Sequence, residues 1–251
     1  MKLSTLRYSV EGGTATLTLD RPDSRNAVNR AMCDDIVAAA AAARDDGEVR
    51  LVLVRAAGPV FCAGADLKER KGMDADAIRA RRLAAFAAYG ALESLPMPAI
   101  AVVHGAAVGS GCEIAACCDF IIATPQATFA TPEALWGTIG ATQRLPRILG
   151  KQLCKDMMFT GRKLSAAEAQ AASLVTRIAT ADELDGVIAD IAKTVTAAPQ
   201  AALRQAKSCI DQTVQLDARG ALALEIAAME ENIARDTWRA GMAGFGSEKR
   251  G

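Results

Sequence analysis

Residues 98–123 constrain this chain more than any other stretch. Ala99-Ile100-Ala101-Val102-Val103 is a short apolar run that reads as a strand, and Gly105 to Gly111 supply a glycine-rich turn. An apolar helix is expected from about Cys112 to Cys118, and Phe120-Ile121-Ile122-Ala123 reads as another strand. Strand, glycine-rich turn, helix and strand in succession form the grammar of a layered α/β domain.

The surrounding chain fits that frame. Leu6–Val10 and Ala15–Leu19 alternate around Gly12-Gly13 and predict a β-hairpin. Asp20 to Asn26 is loop chemistry, Arg30 to Arg44 is an alanine-rich helix, and Arg50 to Arg55 is a short buried strand broken by Gly58-Pro59. A helix from about Ala75 to Leu95 carries Ile78, Leu83, Phe86 and Tyr89 among arginines, and Pro96 and Pro98 end it. Ser165-Ala166-Ala167-Glu168 has the form of a capping box. From Asp182 onward the pattern is helical, including a helix over roughly Asp217 to Ala234. The expected division is an α/β core at 1–195 and a helical region at 196–251. Leu222, Leu224, Ile226 and Met229 give that region apolar faces that a small helical layer cannot bury alone, so packing on a neighbouring subunit is expected.

Composition excludes several roles. Lys plus Arg (29) balances Asp plus Glu (29) with no long run of either sign, which disfavours nucleic-acid binding. Seven cysteines without a CxxC spacing, beside the single His104, give no zinc-binding cluster. Buried thiols in a reducing compartment are expected instead. Residues 1–13 lack the apolar run of a secretory signal, and no stretch reaches the roughly 20 apolar residues of a membrane span. A cytoplasmic protein without membrane or nucleic-acid partners is the expectation.

Two segments with small residues each follow a strand: Phe61-Cys62-Ala63-Gly64-Ala65-Asp66-Leu67, and His104-Gly105 through Cys112-Glu113. Small residues let backbone approach a ligand, and free N–H groups at a helix start face developing negative charge. Together they suggest two backbone donors converging on one oxygen. Glu113 falls inside an otherwise apolar helix, where an ionised carboxylate needs partners. Glu133 follows Thr131-Pro132 and suits the first turn of a short helix. Taken alone, each glutamate also has a plain structural reading.

Phe61 through Glu69, Pro98 through Asp119 and Thr131-Pro132-Glu133 resemble the enoyl-CoA hydratase/isomerase (crotonase) family. Asp20-Arg21-Pro22 with Asn26-Ala27, Gln143-Arg144-Leu145, Phe159-Thr160-Gly161 and Gly241 to Phe245 before Glu248-Lys249-Arg250 are similar too. The resemblance runs over nearly the whole chain. It implies a crotonase-like spiral of repeated ββα units, with C-terminal helices that assemble trimers or hexamers. It also implies oxyanion donors at the backbone N–H groups of Ala65 and Ser110, the latter standing where the family commonly has glycine. Glu133 is implied as donor of the α-proton and Glu113 as the group that holds and activates water. Ser24, Arg25, Ala27 and Lys68, with Phe245 and Lys249, match positions that contact CoA. His104 is expected to be structural. No metal or separate cofactor is implied, since coenzyme A is part of an acyl-CoA substrate.

The chain departs from the family after Glu133. Gly137 to Leu145 lacks three residues, including a proline, of a longer glycine-rich stretch, so a different acyl pocket is expected. The resemblance implies hydration of an enoyl-CoA. Double-bond isomerisation is the nearest alternative, and a non-catalytic acyl-CoA- or RNA-binding protein the more distant one.

Overall fold

The computed structural model describes residues 3–236 together with 238 and 239. Strands β1 (Leu6–Glu11) and β2 (Thr14–Leu19) form the expected hairpin, and α1 (Arg30–Asp45) leads into β3 (Leu51–Ala56). Next come α2 (Leu67–Arg70), α3 (Ala75–Glu93), β4 (Ala99–Val103), β5 (Ala106–Val108) and α4 (Ser110–Ala116). β6 (Phe120–Ala123) and β7 (Thr128–Ala130) precede α5 (Leu145–Leu149), α6 (Lys151–Thr160), β8 (Leu164–Ser165), α7 (Ala166–Ala171) and β9 (Arg177–Ile178). Three helices close the described chain: α8 (Ala181–Ala197), α9 (Gln200–Thr213) and α10 (Ala218–Ala234).

Six strands form one sheet in the order β1-β2-β3-β4-β6-β9, parallel throughout except for the hairpin. Its two faces feed two cores. Val52, Val54, Ala99, Ala101 and Val103 face α1 and α3, where Met32, Ile36, Ala88 and Leu92 are buried. The alternate residues Leu51, Leu53, Ile100, Val102 and Ile122 pack against Leu184, Ile188 and Ile191 of α8. A strand covered on both faces needs a continuous apolar run, which is why β3 and β4 read so clearly in sequence.

Side-chain caps set several helix starts. Asn29 accepts the Met32 N–H at 2.9 Å to open α1. The expected capping box at Ser165 is present: Glu168 N–H donates to Ser165 Oγ at 3.2 Å, and Ser165 N–H donates to Glu168 Oε2 at 2.8 Å.

Around a second sheet, β5-β7-β8, the structure corrects the sequence reading at two points. The turn at Gly105 to Gly111 contains β5, whose residues Ala106, Ala107 and Val108 pair in parallel with Thr128, Phe129 and Ala130. The helix after it starts at Ser110, not Cys112. On α3 the buried face is Arg81, Ala85, Ala88, Tyr89 and Leu92, whereas Leu83 and Phe86 are exposed, Phe86 at the edge of a cavity. The helical pair α9 and α10 buries no residue fully, and Leu222, Ile226 and Met229 remain about half exposed.

Candidate active site

Close backbone approach builds the site. Cys62 N–H donates to Ala106 O at 3.0 Å and Val108 N–H donates to Cys62 O at 2.9 Å, so the Phe61–Asp66 segment runs beside β5. At Gly111 an added Cβ would lie 2.5 Å from Cys62 O, so only glycine lets α4 begin this near the loop. Gly64 falls beside the same helix start, its missing Cβ 4.0 Å from Ser110 N. Among the described residues, neither the Ala65 nor the Ser110 N–H donates to a backbone carbonyl. Both residues line one cavity of ≈ 530 Å³.

Gly109 precedes α4 with φ +51°, and its N–H donates to Ala130 O at 2.9 Å. That bond holds the end of β7 against the helix start, and β7 runs directly into Thr131-Pro132-Glu133. The Glu133 carboxylate consequently packs on Gly109, where a Cβ would meet Oε1 at 2.5 Å. Glu133 opens a 3-10 turn, Glu133–Trp136, as its position after proline predicts.

Glu113 and Glu133 both line the cavity, and among the described residues each has one buried carboxylate oxygen without a hydrogen-bond partner: Oε1 of Glu113 and Oε2 of Glu133. Burial pushes both carboxyls above their ordinary value. For Glu113, Arg144 opposes the rise through an ion pair of 2.9 Å. Glu133 has no such partner among the described residues, and the negative charge of Glu113 raises it further. Two carboxyls in one cavity, one ion-paired and one not, are placed to differ in protonation.

Sequence reading did not find the role of Arg144. The residue was visible only as part of Gln143-Arg144-Leu145, and its partners Glu93 and Glu113 are distant in the chain. Nor did it find Tyr89 beside the oxyanion segment. Burial raises that phenol, and the neighbouring Ser110 side chain pulls it part-way back. Cys62 lies within the site loop, but burial pushes its thiol up to about 12, which leaves it inert as a nucleophile. Six of the seven cysteines are buried free thiols, and Cys209 is half-buried.

The segment expected to touch CoA lies against the same loop. Ala63 N–H donates to Arg25 O at 3.0 Å, Val28 N–H donates to Gly64 O at 2.8 Å, and Arg21 pairs with Asp66 at 3.0 Å. Arg25 lines the cavity, while Ser24, Ala27 and the exposed Lys68 flank it without lining it. Phe245 and Lys249 lie outside the described residues. His104 donates from Nε2 to Gly58 O at 2.7 Å, away from the cavity lining. The shortened loop after Glu133 does reach the site: Thr138, Gly140 and Ala141 line it, and Gly140 rests against the Glu133 side chain.

A sequence profile for "Enoyl-CoA hydratase/isomerase" matches residues 9–251. The chain is 35% identical to a probable enoyl-CoA hydratase of Mycobacterium leprae, covering 100% of this chain and 97% of that one. It is 34% identical to the probable mitochondrial enoyl-CoA hydratase 2 of Arabidopsis thaliana, with 100% and 84% covered. Among solved structures, enoyl-CoA hydratases from Bacillus anthracis and Mycobacterium smegmatis each superpose with a TM-score of 0.92 over 96% of both chains, at 30% and 32% identity.

Proposed function

The chain belongs to the enoyl-CoA hydratase/isomerase family, and on that premise we propose that it adds water reversibly across the 2,3 double bond of an enoyl-CoA thioester. The observation that carries this reading is the pair Glu113 and Glu133, buried in one cavity with an unpartnered oxygen on each. Many chemistries need one base. Adding H and OH to two adjacent carbons is served by two groups, one to take a proton from water and one to give a proton to carbon.

In this proposal the thioester oxygen accepts hydrogen bonds from the Ala65 and Ser110 N–H groups. Glu113, favoured as the ionised partner by Arg144, removes a proton from a water as its oxygen bonds to C3. The π electrons move toward the thioester and form an enolate held by the two N–H donors, each contributing about 2.7–4 kcal/mol to the transition state. Glu133, the carboxyl with no ion pair among the described residues, delivers its proton to C2. Return of one proton from Glu113 to Glu133 resets the pair. Coenzyme A arrives as part of the substrate, with Ser24, Arg25, Ala27 and Lys68 at its entrance, and no further cofactor or metal takes part.

The same proposal takes residues 196–251 as the region that assembles a trimer or a pair of trimers, and the cytoplasm as the compartment. The exposure of Ile210 (64%), Leu222 (57%) and Met229 (49%) supports a covering subunit. The test of the reaction is product mass after incubating enoyl-CoA thioesters in ¹⁸O-water. Heavy oxygen in the product is expected. A shifted double bond without label would replace hydration by isomerisation.

A further inference from the structure

Among the described residues, five cationic side chains line the cavity against two acidic ones: Arg25, Arg70, Arg81, Arg82 and Lys163 against Glu113 and Glu133. Three of these arginines come from α2 and α3, and the fold satisfies them unequally. Arg81 is buried, paired with Glu69 at 2.7 Å, and donates to the Val28 carbonyl. Arg70 has nothing comparable. Among the described residues it makes no ion pair or side-chain hydrogen bond, and its Nε is buried without an acceptor. Glu69 beside it is already committed to Arg81 and, at 2.7 Å, to the Arg30 N–H. Arg82 donates to the Ile139 carbonyl and lies 5.4 Å from the Phe86 ring centre, with no carboxylate paired to it among the described residues.

The two acidic lining residues do not supply the missing charge. Glu113 is held by Arg144, and the closest restraint on Glu133 is the backbone around Gly109. Arg70, Arg81 and Arg82 all line this cavity, and burial and the repulsion of Arg81 and Arg82 pull Arg70 below the ordinary arginine value. The Ile139 carbonyl that Arg82 reaches immediately precedes Gly140, which rests against the Glu133 side chain, so Arg82 borders the part of the cavity where the glutamates lie. A half-buried guanidinium without an acceptor is costly, and an apolar acyl tail is the occupant that relieves it least. A carboxylate accepts two parallel N–H bonds from such a fork.

Building on the acyl-CoA reading above, we propose that Arg70 and Arg82 form a carboxylate-recognising subsite. The acyl group this protein takes then carries a second carboxylate at its far end, as in the monothioester of a dicarboxylic acid.

Calorimetric titration of the full chain with glutaryl-CoA and pentanoyl-CoA tests the subsite without any reaction, because both acyl chains are saturated. The two ligands share the whole CoA moiety, so attraction of arginines to its phosphates cancels in the ratio. Glutaryl-CoA is expected to bind about 10–100-fold more tightly, the scale of a charge-assisted hydrogen bond. Arg70→Met and Arg82→Met should each cut that ratio at least about fivefold, with Arg70→Lys intermediate because it keeps the charge and loses the fork. Equal or weaker binding of glutaryl-CoA by the unaltered protein overturns the subsite, as does a preference that survives both methionine variants. If neither thioester binds, the acyl-CoA reading falls with it. If glutaryl-CoA is preferred but no enoyl thioester gains oxygen from labelled water, the subsite stands and hydration fails.

Discussion

Nη1 of Arg144 lies 2.9 Å from Oε2 of Glu113, while Nη2 and Nε of the same guanidinium hold Glu93 at 2.6 and 3.1 Å. One side chain thus ties the carboxyl on α4 to the last turn of α3, with the Tyr89 ring centre 5.7 Å from its charged carbon. Glu113 is thereby fixed at one oxygen and left open at the other, which suits a group that must meet a water from a single direction.

Arg144→Gln should move the acid limb of the kcat/KM profile to higher pH. Burial raises the Glu113 carboxyl and Arg144 lowers it, so removing the arginine leaves burial unopposed and the group protonated to higher pH. A folded variant whose acid limb stays in place would show that the ion pair does not govern the ionisation used in turnover.

Glu113→Gln and Glu133→Gln should each lower turnover at least about a hundredfold, the scale of positioned acid–base catalysis, with folding retained because the exchange is nearly isosteric. Near-normal turnover in either folded protein removes that residue from the mechanism.

The same variants carry a stability signature. Because both carboxyls are raised, the folded chain holds protons that the unfolded chain has already released above the ordinary value of 4.5. Stability contributed by the protonated groups is therefore lost as pH rises from that value through the raised ones. Glu133→Gln should melt above the parent protein near neutral pH, with the gap closing at about pH 4. A gap that is constant with pH would contradict a raised Glu133.

Gly109→Ala should lower turnover at least about a hundredfold by displacing a catalytic carboxyl. The new methyl would sit 2.5 Å from Glu133 Oε1 at a backbone φ of +51°, so either the carboxylate or the start of α4 must shift. Alanine tolerated with full activity would mean that Glu133 works from a different position.

Light scattering should give at least three times the 26.2 kDa chain mass. The exposed faces of α9 and α10 are the reason. A stable monomer at micromolar concentration sinks the assembly proposal.

Much of the large sheet was legible because β3, β4 and β6 are covered on two sides, which writes apolar runs into the sequence, while the hairpin shows alternation around its glycines. The small sheet was not. β5, β7 and β8 are two or three residues long, too short for any period to register, and their pairing across residues 106–165 fixes them. In the site, Glu113, Glu133 and the two N–H donors were reachable through their setting among small residues and the family resemblance. The Arg144–Glu93–Glu113 network was hidden because its members are separated by 20 to 51 positions, and charge spacing along the chain says nothing about such a meeting.

The second face of the large sheet is covered by α8, whose Leu184, Ile188 and Ile191 arrive long after Leu51 and Leu53 have been made. During synthesis, a nascent chain that has emerged as far as β6 therefore presents Leu51, Leu53, Ile100, Val102 and Ile122 with no lid. Parallel pairing is already slow because its loops must close before its contacts form. This order of appearance adds an interval in which a sticky, half-finished sheet waits for a helix still inside the ribosome, and chaperone demand should peak there.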